Sequence, residues 1–245
     1  MGYVYLALVL ALLPGAVFAA LRSWQSRRRA REVDAFASPH GLERYDVDPF
    51  GLIDHAFDLF RLGERAQVRN VVGGAWEGIE LRGADLWFAL PTRRSDTSLL
   101  ALSSRSLWEF FHHGGQAFSF AMAEIDAALP HIAIRRRGEV EAATARVERG
   151  RLRFESDRFN HRYDVRCDDH EYAWQFVDVG LMQWLVDMSD SRPALSFEAA
   201  GNRVLVYCQE ARPPELVVLF RAARRFHELV PRVVLRRFPL VVSPG

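Results

Sequence analysis

The sequence predicts an α+β fold, in which an N-terminal transmembrane helix precedes a largely antiparallel sheet domain with two amphipathic helices in its C-terminal half. Three observations support this prediction. The chain opens with an uncharged stretch from Tyr3 to Leu21. Short segments with the two-residue period of β-strands follow between residues 66 and 167, and the period becomes helical after Asp168.

The uncharged stretch is long enough to cross a bilayer. A spanning helix needs about 20 apolar residues, and it tolerates interruptions such as Pro14 and Gly15. A secretory signal needs a basic segment before its apolar core, and only Met1 and Gly2 precede this one. Basic residues beside a span stay on the cytoplasmic side, so we predict an uncleaved single-pass anchor in the cell membrane and a cytoplasmic body. A cleaved or outward-facing version is the alternative.

Arginines follow the span with no acidic residue among them. We expect the bilayer to hold Tyr3 to Leu21, and anionic headgroups to contact the basic cluster of Arg22, Arg27, Arg28, Arg29 and Arg31. Residues 1–31 hold five of the 32 basic residues and none of the 31 acidic ones, which leaves 27 against 31, a net charge of −4. A body with this balance is not suited to nucleic acid.

Three domain regions follow from these patterns. Residues 1–31 form the anchor with its basic cluster, 32–65 a helical and irregular connector, and 66–245 the soluble α+β domain, which would divide into two subdomains near residue 150. A helix extends from the anchor to about Ala37, where Ser38-Pro39-His40-Gly41 stops it.

Strands fill most of the chain up to residue 167. Residues 67–90 predict two strands around a Glu77-Gly78 turn. Two further strands are expected in "QAFSFAMAEI" and "HIAIRRRGEV", joined by a turn near Leu129-Pro130, and "RLRFESDRFNHRYDVRCDD" contains two short ones.

The two predicted helices lie beyond this point. The first starts at Asp168 or Asp169 as N-cap and carries one apolar stripe of Ala173, Phe176, Val177, Leu181, Trp184, Leu185 and Met188. A hairpin about Gly201-Asn202 separates it from the second helix, which begins at "PPEL" with proline in the first turn. That helix places on one face Leu216, Leu219, Phe220, Ala223, Phe226 and Val230.

Several segments resemble, in order, a family of uncharacterised, membrane-anchored bacterial proteins known as a domain of unknown function. The segments are "AFASPHGLERYDVD", "VRNVVGGAWEGIEL", "LRFESDRFNHRYDVRCDDHEYAWQFVDVGLMQWLVDM", "LSFEAAGNRVLVY" and "LVPRVVL", across roughly residues 35–235. The matching motif positions are Glu155-Ser156, Phe159-Asn160 and Asp168. The chain departs from the pattern at "ADLWFAL" and in a longer stretch over 91–116. The resemblance implies anchoring and this fold, and it implies no catalytic residue.

Residues with catalytic or binding chemistry are few. Cys167, Asp168 and His170 are close in sequence, but the cysteine is expected to end a strand and the aspartate to cap a helix. "VVGGAW" lacks a phosphate-binding signature and fits a turn or a close backbone approach. The histidines His112-His113, His131 and His161 do not have the spacing of zinc ligands. Asp46, Asp48, Asp54 and Asp58 fit a solvated acidic face rather than a calcium loop.

We therefore assign no catalytic, cofactor-binding or metal-binding residue and no cofactor. Trp174 and Trp184 are expected in the core, with a ligand pocket as the alternative. The predicted function is a membrane-tethered, non-catalytic binding or scaffolding module of unknown ligand, which binds a protein, a lipid headgroup or a second copy of itself. The alternative is an enzyme whose active site converges only in three dimensions. Segment 93–116 is expected to cover the core or to present Trp108, Phe110 and Phe111 to a partner or the bilayer.

Overall fold

In the part of the chain that the structure describes, seven strands form one sheet, and all paired strands run antiparallel. The computed structural model describes residues 20–21, 23–89, 115–137 and 151–240. The strands are β1 (Glu43–Tyr45), β2 (Glu64–Trp76), β3 (Ile79–Ala89), β4 (Gly115–Arg136), β5 (Arg151–Leu152), β6 (Tyr163–Cys167) and β7 (Ser196–Gln209). Their order is β1-β2-β3-β4-β6-β5. β3 and β6 pair with different stretches of one edge of the long strand β4, and β7 pairs with its other edge. The predicted α+β class with a mostly antiparallel sheet is confirmed.

Helices occupy both ends of the described chain. They are α1 (23–37, with residues 20 and 21 also helical), α2 (Asp157–Arg162), α3 (His170–Phe176), α4 (Val179–Met188), α5 (Pro213–Leu229) and α6 (Arg232–Arg237). Short 3₁₀ helices cover Ser38–His40, Leu52–Asp54 and Asp58–Arg61. No helix in these described ranges is long and apolar enough to cross a bilayer. Nearly all of the predicted span, Tyr3 to Leu21, lies outside these ranges, so anchoring stays a prediction.

Each face of the sheet has its own core. On one face the α-helices bury a large cluster, in which Phe36 of α1, Trp76 of β2 and Phe220 of α5 are in ring contact. On the other face, residues 52–60 cover a smaller cluster that includes Phe120 and Tyr207. The sheet therefore has a helical face and a face covered by 3₁₀ segments.

The β2–β3 hairpin forms where its turn residues predict it. Glu77 and Gly78 have φ of 46° and 94°, as a two-residue type I′ turn requires. Pairing then runs from Trp76–Ile79 to Glu64–Ala89, with two register shifts. Because the turn chemistry is local, this prediction is confirmed.

The strand pair predicted around Leu129-Pro130 is wrong, because β4 continues through these residues. β4 stays paired with β7 from Phe118 to Ile134, with register shifts between Glu124 and Leu129 and between Leu129 and Ile132. Proline in a sheet is tolerated at such a bulge. The turn signal therefore marks an irregularity in a long strand, not a reversal of the chain.

The hairpin predicted about Gly201-Asn202 is also wrong. β7 is one strand of 14 residues, and Gly201, with φ of 56°, pairs with Leu129 of β4. The left-handed glycine thus lies opposite the irregularity of β4, and both strands continue past it.

The apolar stripe after Asp168 is carried by two helices. Asp169 is the N-cap of α3, and its side chain accepts a hydrogen bond from the Tyr172 amide. Asp178 caps α4 in the same way through the Leu181 amide, which divides the predicted single helix. Most stripe residues are buried, while Trp184 and Met188 are partly exposed. α5 begins at Pro213 as predicted, and its six predicted face residues are buried.

The predicted connector contains a strand of the sheet. Residues 32–65 include the end of α1, the three 3₁₀ helices and β1, whose Arg44 pairs with Val72 of β2. The proposed domain boundaries, including the division near residue 150, stay predictions.

Candidate functional site

Arg29 joins α1 to the sheet. Its Nε and Nη2 donate to the two carboxylate oxygens of Asp85 on β3, each at 2.8 Å. Its Nη1 donates to the carbonyl oxygen of Ala211 at 2.6 Å. The Arg29 side chain is 11% exposed, whereas that of its neighbour Arg28 is 62% exposed. The guanidinium therefore binds the protein body in a bidentate pair.

The remaining hydrogen-bonding capacity of Asp85 is also used. Ser119 Oγ donates to Asp85 Oδ1 at 2.7 Å, and Asn70 Nδ2 donates to Oδ2 at 2.9 Å. Ser119 Oγ also accepts the Ala211 amide at 3.0 Å. Buried ion pairs are stable only when such additional hydrogen bonds satisfy the charges. The five residues form what we call the α1 clamp: Arg29, Asn70, Asp85, Ser119 and Ala211.

The charge balance of the clamp keeps Arg29 ionised. Burial alone would lower the pKa of Arg29, but the hydrogen bonds and negative charge of Asp85 outweigh burial and raise it. The guanidinium therefore carries its positive charge within the clamp.

The outer side of α1 has the opposite character. Leu21 and Trp24 are each 54% exposed, and the Arg28 guanidinium lies 5.8 Å from the centre of the Trp24 ring. Arg27 and Arg31 are exposed as well. This combination of tryptophan and arginine is typical of a helix end at a membrane surface.

The headgroup contact predicted for Arg29 is wrong, because its side chain is buried against Asp85. Arg22 lies outside the described residues. For the exposed arginines Arg27, Arg28 and Arg31, headgroup contact stays a prediction. The sequence offered one signal for the clamp: Asp85 is the sole acidic residue in the apolar stretch "ADLWFAL".

A second polar cluster lies under the 3₁₀ helix Asp58–Arg61. Glu198 of β7 is fully buried, and its oxygens accept the amides of Asp58 at 2.7 Å and Leu59 at 3.2 Å. Arg135 of β4 donates to Asp58 Oδ2 at 2.6 Å, and His131 Nε2 lies 3.3 Å from Glu198 Oε2. Glu198 thus caps the 3₁₀ helix from a distant strand.

This cluster has the side chains to hold a cation. Asp58, His131 and Glu198 each offer one ligand atom, and these atoms lie within 4.8 Å of one another. The same oxygens already bind two amides and Arg135, however. We call the cluster of Asp58, His131, Arg135 and Glu198 the structural clasp. Burial lowers the pKa of His131, but Glu198 and then Asp58 outweigh it and raise the pKa. Sequence reasoning missed Glu198, which sits in the strand-like "LSFEAAG" with no motif around it.

A cavity of about 400 Å³ lies at the far end of β4 and is lined by Arg137, Leu152, Arg153, Asn160, His161 and Tyr163. Its polar groups are engaged within the protein. Arg137 pairs with Asp164, and both hydrogen-bonding groups of Asn160 bind the Phe154 backbone. Burial raises the pKa of Tyr163 to about 12, so its hydroxyl stays protonated.

The structure does not assemble Cys167, Asp168 and His170 into a nucleophilic site. Cys167 ends β6, and its thiol donates to the Asp169 carbonyl oxygen at 3.2 Å. Burial raises the Cys167 pKa to about 11, which leaves little thiolate at neutral pH. His131 and His161 belong to the two different clusters above, and His112-His113 lie outside the described residues.

The remaining candidates have separate structural roles. Asp46 pairs with Arg44, Asp48 accepts two amides of its own loop, and Asp58 pairs with Arg135, so these three acidic residues have separate partners. A side chain at Gly73 would meet Phe50 at 3.1 Å, and one at Gly74, where φ is 147°, would meet the Gly41 carbonyl oxygen at 3.2 Å, so both glycines are explained by close approach.

The two tryptophans differ. Trp174 is 58% exposed, so the core position predicted for it is wrong, while Trp184 is partly buried against Phe197. The aromatic residues Trp108, Phe110 and Phe111 of segment 93–116 lie outside the described residues.

Comparison with known proteins supports the fold. No family model and no curated protein matches the chain. The structure is similar to the crystal structure of the mycobacterial trehalose monomycolate transport factor A, TtfA, with a TM-score of 0.54 and 13% identity. The match covers 87% of this chain and 98% of that one. At this identity the likeness establishes a shared fold.

Proposed function

We propose that this chain is a membrane-tethered, non-catalytic binding module that acts as an accessory factor in transport at the membrane. The observation that carries the proposal is the α1 clamp. The helix that continues from the predicted anchor is fixed to the sheet by a bidentate Arg29–Asp85 pair and by the Phe36 contacts. A rigid connection between the predicted anchor and the sheet would fix the position of the body relative to the membrane, as a scaffold requires.

The likeness to a trehalose monomycolate transport factor supports the transport part of the proposal, since it extends over most of both chains. The engaged polar clusters support the non-catalytic part. Glu198 caps the 3₁₀ helix Asp58–Arg61, and the Cys167 thiol donates to the Asp169 carbonyl oxygen, so both side chains are used within the fold. The partner we favour is a protein of the transport machinery, bound on the cytoplasmic side.

A complementation experiment tests the proposal. A strain that lacks the chain is expected to fail in exporting a membrane lipid, and wild type restores export. His131→Gln and Cys167→Ser should restore it equally if the chain is not an enzyme. A chain that starts at residue 23, without the anchor, should not restore it. Restoration by the anchorless chain at equal expression would contradict tethering.

One observation favours the enzyme alternative, namely the convergence of Asp58, His131 and Glu198. A hydrolytic enzyme with a divalent metal at this cluster would lose its function in His131→Gln while keeping its fold and abundance. That result in the complementation experiment would replace the non-catalytic proposal.

A further inference from the structure

We infer that the body is held in one orientation on the membrane, with the sheet end formed by Glu64, Ala89 and Gly115 facing the bilayer surface. This inference deepens the proposed function and rests on its tethering. The partner of this surface is a lipid bilayer.

The direction of α1 along the sheet supports the inference. Arg29 contacts Asp85 and Ser119, which are paired neighbours on β3 and β4. Seven residues later, Phe36 stacks on Trp76, which pairs with Ile79 at the start of β3. Residue numbers therefore rise along α1 while they fall along β3. The N-terminal end of α1 must point toward the Ala89 end of the sheet.

An intermediate contact agrees with this direction. Asp34 of α1 pairs with Arg44 of β1, which lies opposite Val72, and Val72 pairs with Gly83. Arg29, Asp34 and Phe36 of α1 therefore lie level with Asp85, Gly83 and Ile79 of β3, in that order.

The lengths place the membrane surface at that end of the sheet. From Arg29 back to Leu21 the helix rises by about 12 Å, at roughly 1.5 Å per residue. From Asp85 to Ala89 the strand advances about 13 Å, at roughly 3.3 Å per residue. The exit of the predicted span at Leu21 is therefore level with Ala89 and with its pairing partner Gly115.

Another strand end lies at the same level, because Glu64 pairs with Ala89. The end of β7 lies three residues further along β4, where Gln209 pairs with Phe118. The exposed residues of α1 near this level include Trp24 and Arg27 and no acidic side chain, as an anionic bilayer surface favours. The β2–β3 turn lies at the opposite end of the hairpin.

Two exposed positions on the hairpin test the orientation. Gln67 pairs with Trp87 near the membrane-facing end, and Glu80 lies next to the turn. Trp87 and Glu80 are seven residues apart on β3, or about 23 Å. The full chain carries a fluorescent donor at Gln67→Cys or Glu80→Cys and is reconstituted in phosphatidylglycerol and phosphatidylcholine vesicles with a headgroup-linked acceptor. Both native cysteines are buried, and unsubstituted chain gives the labelling background.

Energy transfer from Gln67→Cys should exceed that from Glu80→Cys by about twofold or more, given the ~23 Å separation. Arg29→Gln should reduce this ratio toward one, and Arg225→Gln, at an exposed position of α5, should leave it unchanged. Where Arg29→Gln does not fold, the comparison of the two labels alone decides. Equal transfer from the two labels in vesicle-bound chain, or more from Glu80→Cys, would overturn the inference. Unlabelled chain that does not float with vesicles would overturn the tethering proposal and this inference together.

Discussion

Replacing Gly83 with alanine tests the close contact between the sheet and α5. An added Cβ would lie 2.6 Å from Cζ and 2.8 Å from Cε2 of Phe220, and 2.9 Å from the carbonyl oxygen of Phe120. The Phe120 oxygen belongs to the paired strand β4, and Phe220 is 1% exposed between Phe36 and Trp76. Neither neighbour can move freely. Overpacking of this kind costs about 1–3 kcal/mol, and we expect the upper half of that range.

Urea unfolding of a fragment that starts at residue 23 measures this effect. Gly83→Ala should lower the free energy of unfolding by about 2–3 kcal/mol. Gly180→Ala in the first turn of α4 is the matched control, because its Cβ would meet only Asp178 Oδ1 at 3.4 Å. It should be neutral or stabilising by up to about 1 kcal/mol. A Phe220→Leu background should recover part of the Gly83→Ala loss. An unchanged midpoint for Gly83→Ala would refute the packing argument.

Three further predictions concern side chains of the helical face and the two polar clusters. Trp184→Ala should cost about 2 kcal/mol in the same assay, less than the roughly 3–5 kcal/mol of a fully buried ring, whereas exposed Trp174→Ala should stay within about 0.5 kcal/mol. Equal losses would contradict the different burial of the two rings. His131 has a raised pKa in the folded state, so its stabilising contribution is complete below its unfolded pKa and is lost as pH rises through the folded pKa. Wild type should therefore lose stability relative to His131→Gln as the pH rises above the ordinary histidine pKa of 6.5, and parallel pH profiles would refute this. Cys167, with a pKa of about 11, should react with a thiol reagent at pH 8 much more slowly in folded than in urea-unfolded chain, and equal rates would show that the thiol is accessible.

The sequence was sufficient where the structural cause is local. The type I′ turn at Glu77-Gly78 needs only its own residues, and α5 combines a proline in its first turn with a helical period that reaches Val230. At Leu129-Pro130 and Gly201 the same kinds of signal were misleading. There the pairing of β4 with β7 carries both strands through residues that would otherwise form turns. Local turn chemistry cannot reveal such non-local support.

The α1 clamp and the structural clasp could not be predicted from the sequence for a similar reason. Arg29 and Asp85 are 56 residues apart, and Asp58 and Glu198 are 140 apart. A basic residue next to a predicted span has two natural partners, a headgroup and a buried carboxylate, and only the packing of α1 decides between them for Arg29. The exposure of Trp174 depends on how α3 lies on the sheet, which the helical period alone did not settle.

Alkaline carbonate extraction of native membranes tests the central claim, that the body is tethered by its N-terminal segment, most directly. The account predicts that the full chain stays in the membrane pellet after extraction, because a spanning helix is removed only by detergent. Recovery of the full-length chain in the carbonate supernatant would contradict tethering, and the orientation inferred from α1 would then have no membrane to refer to.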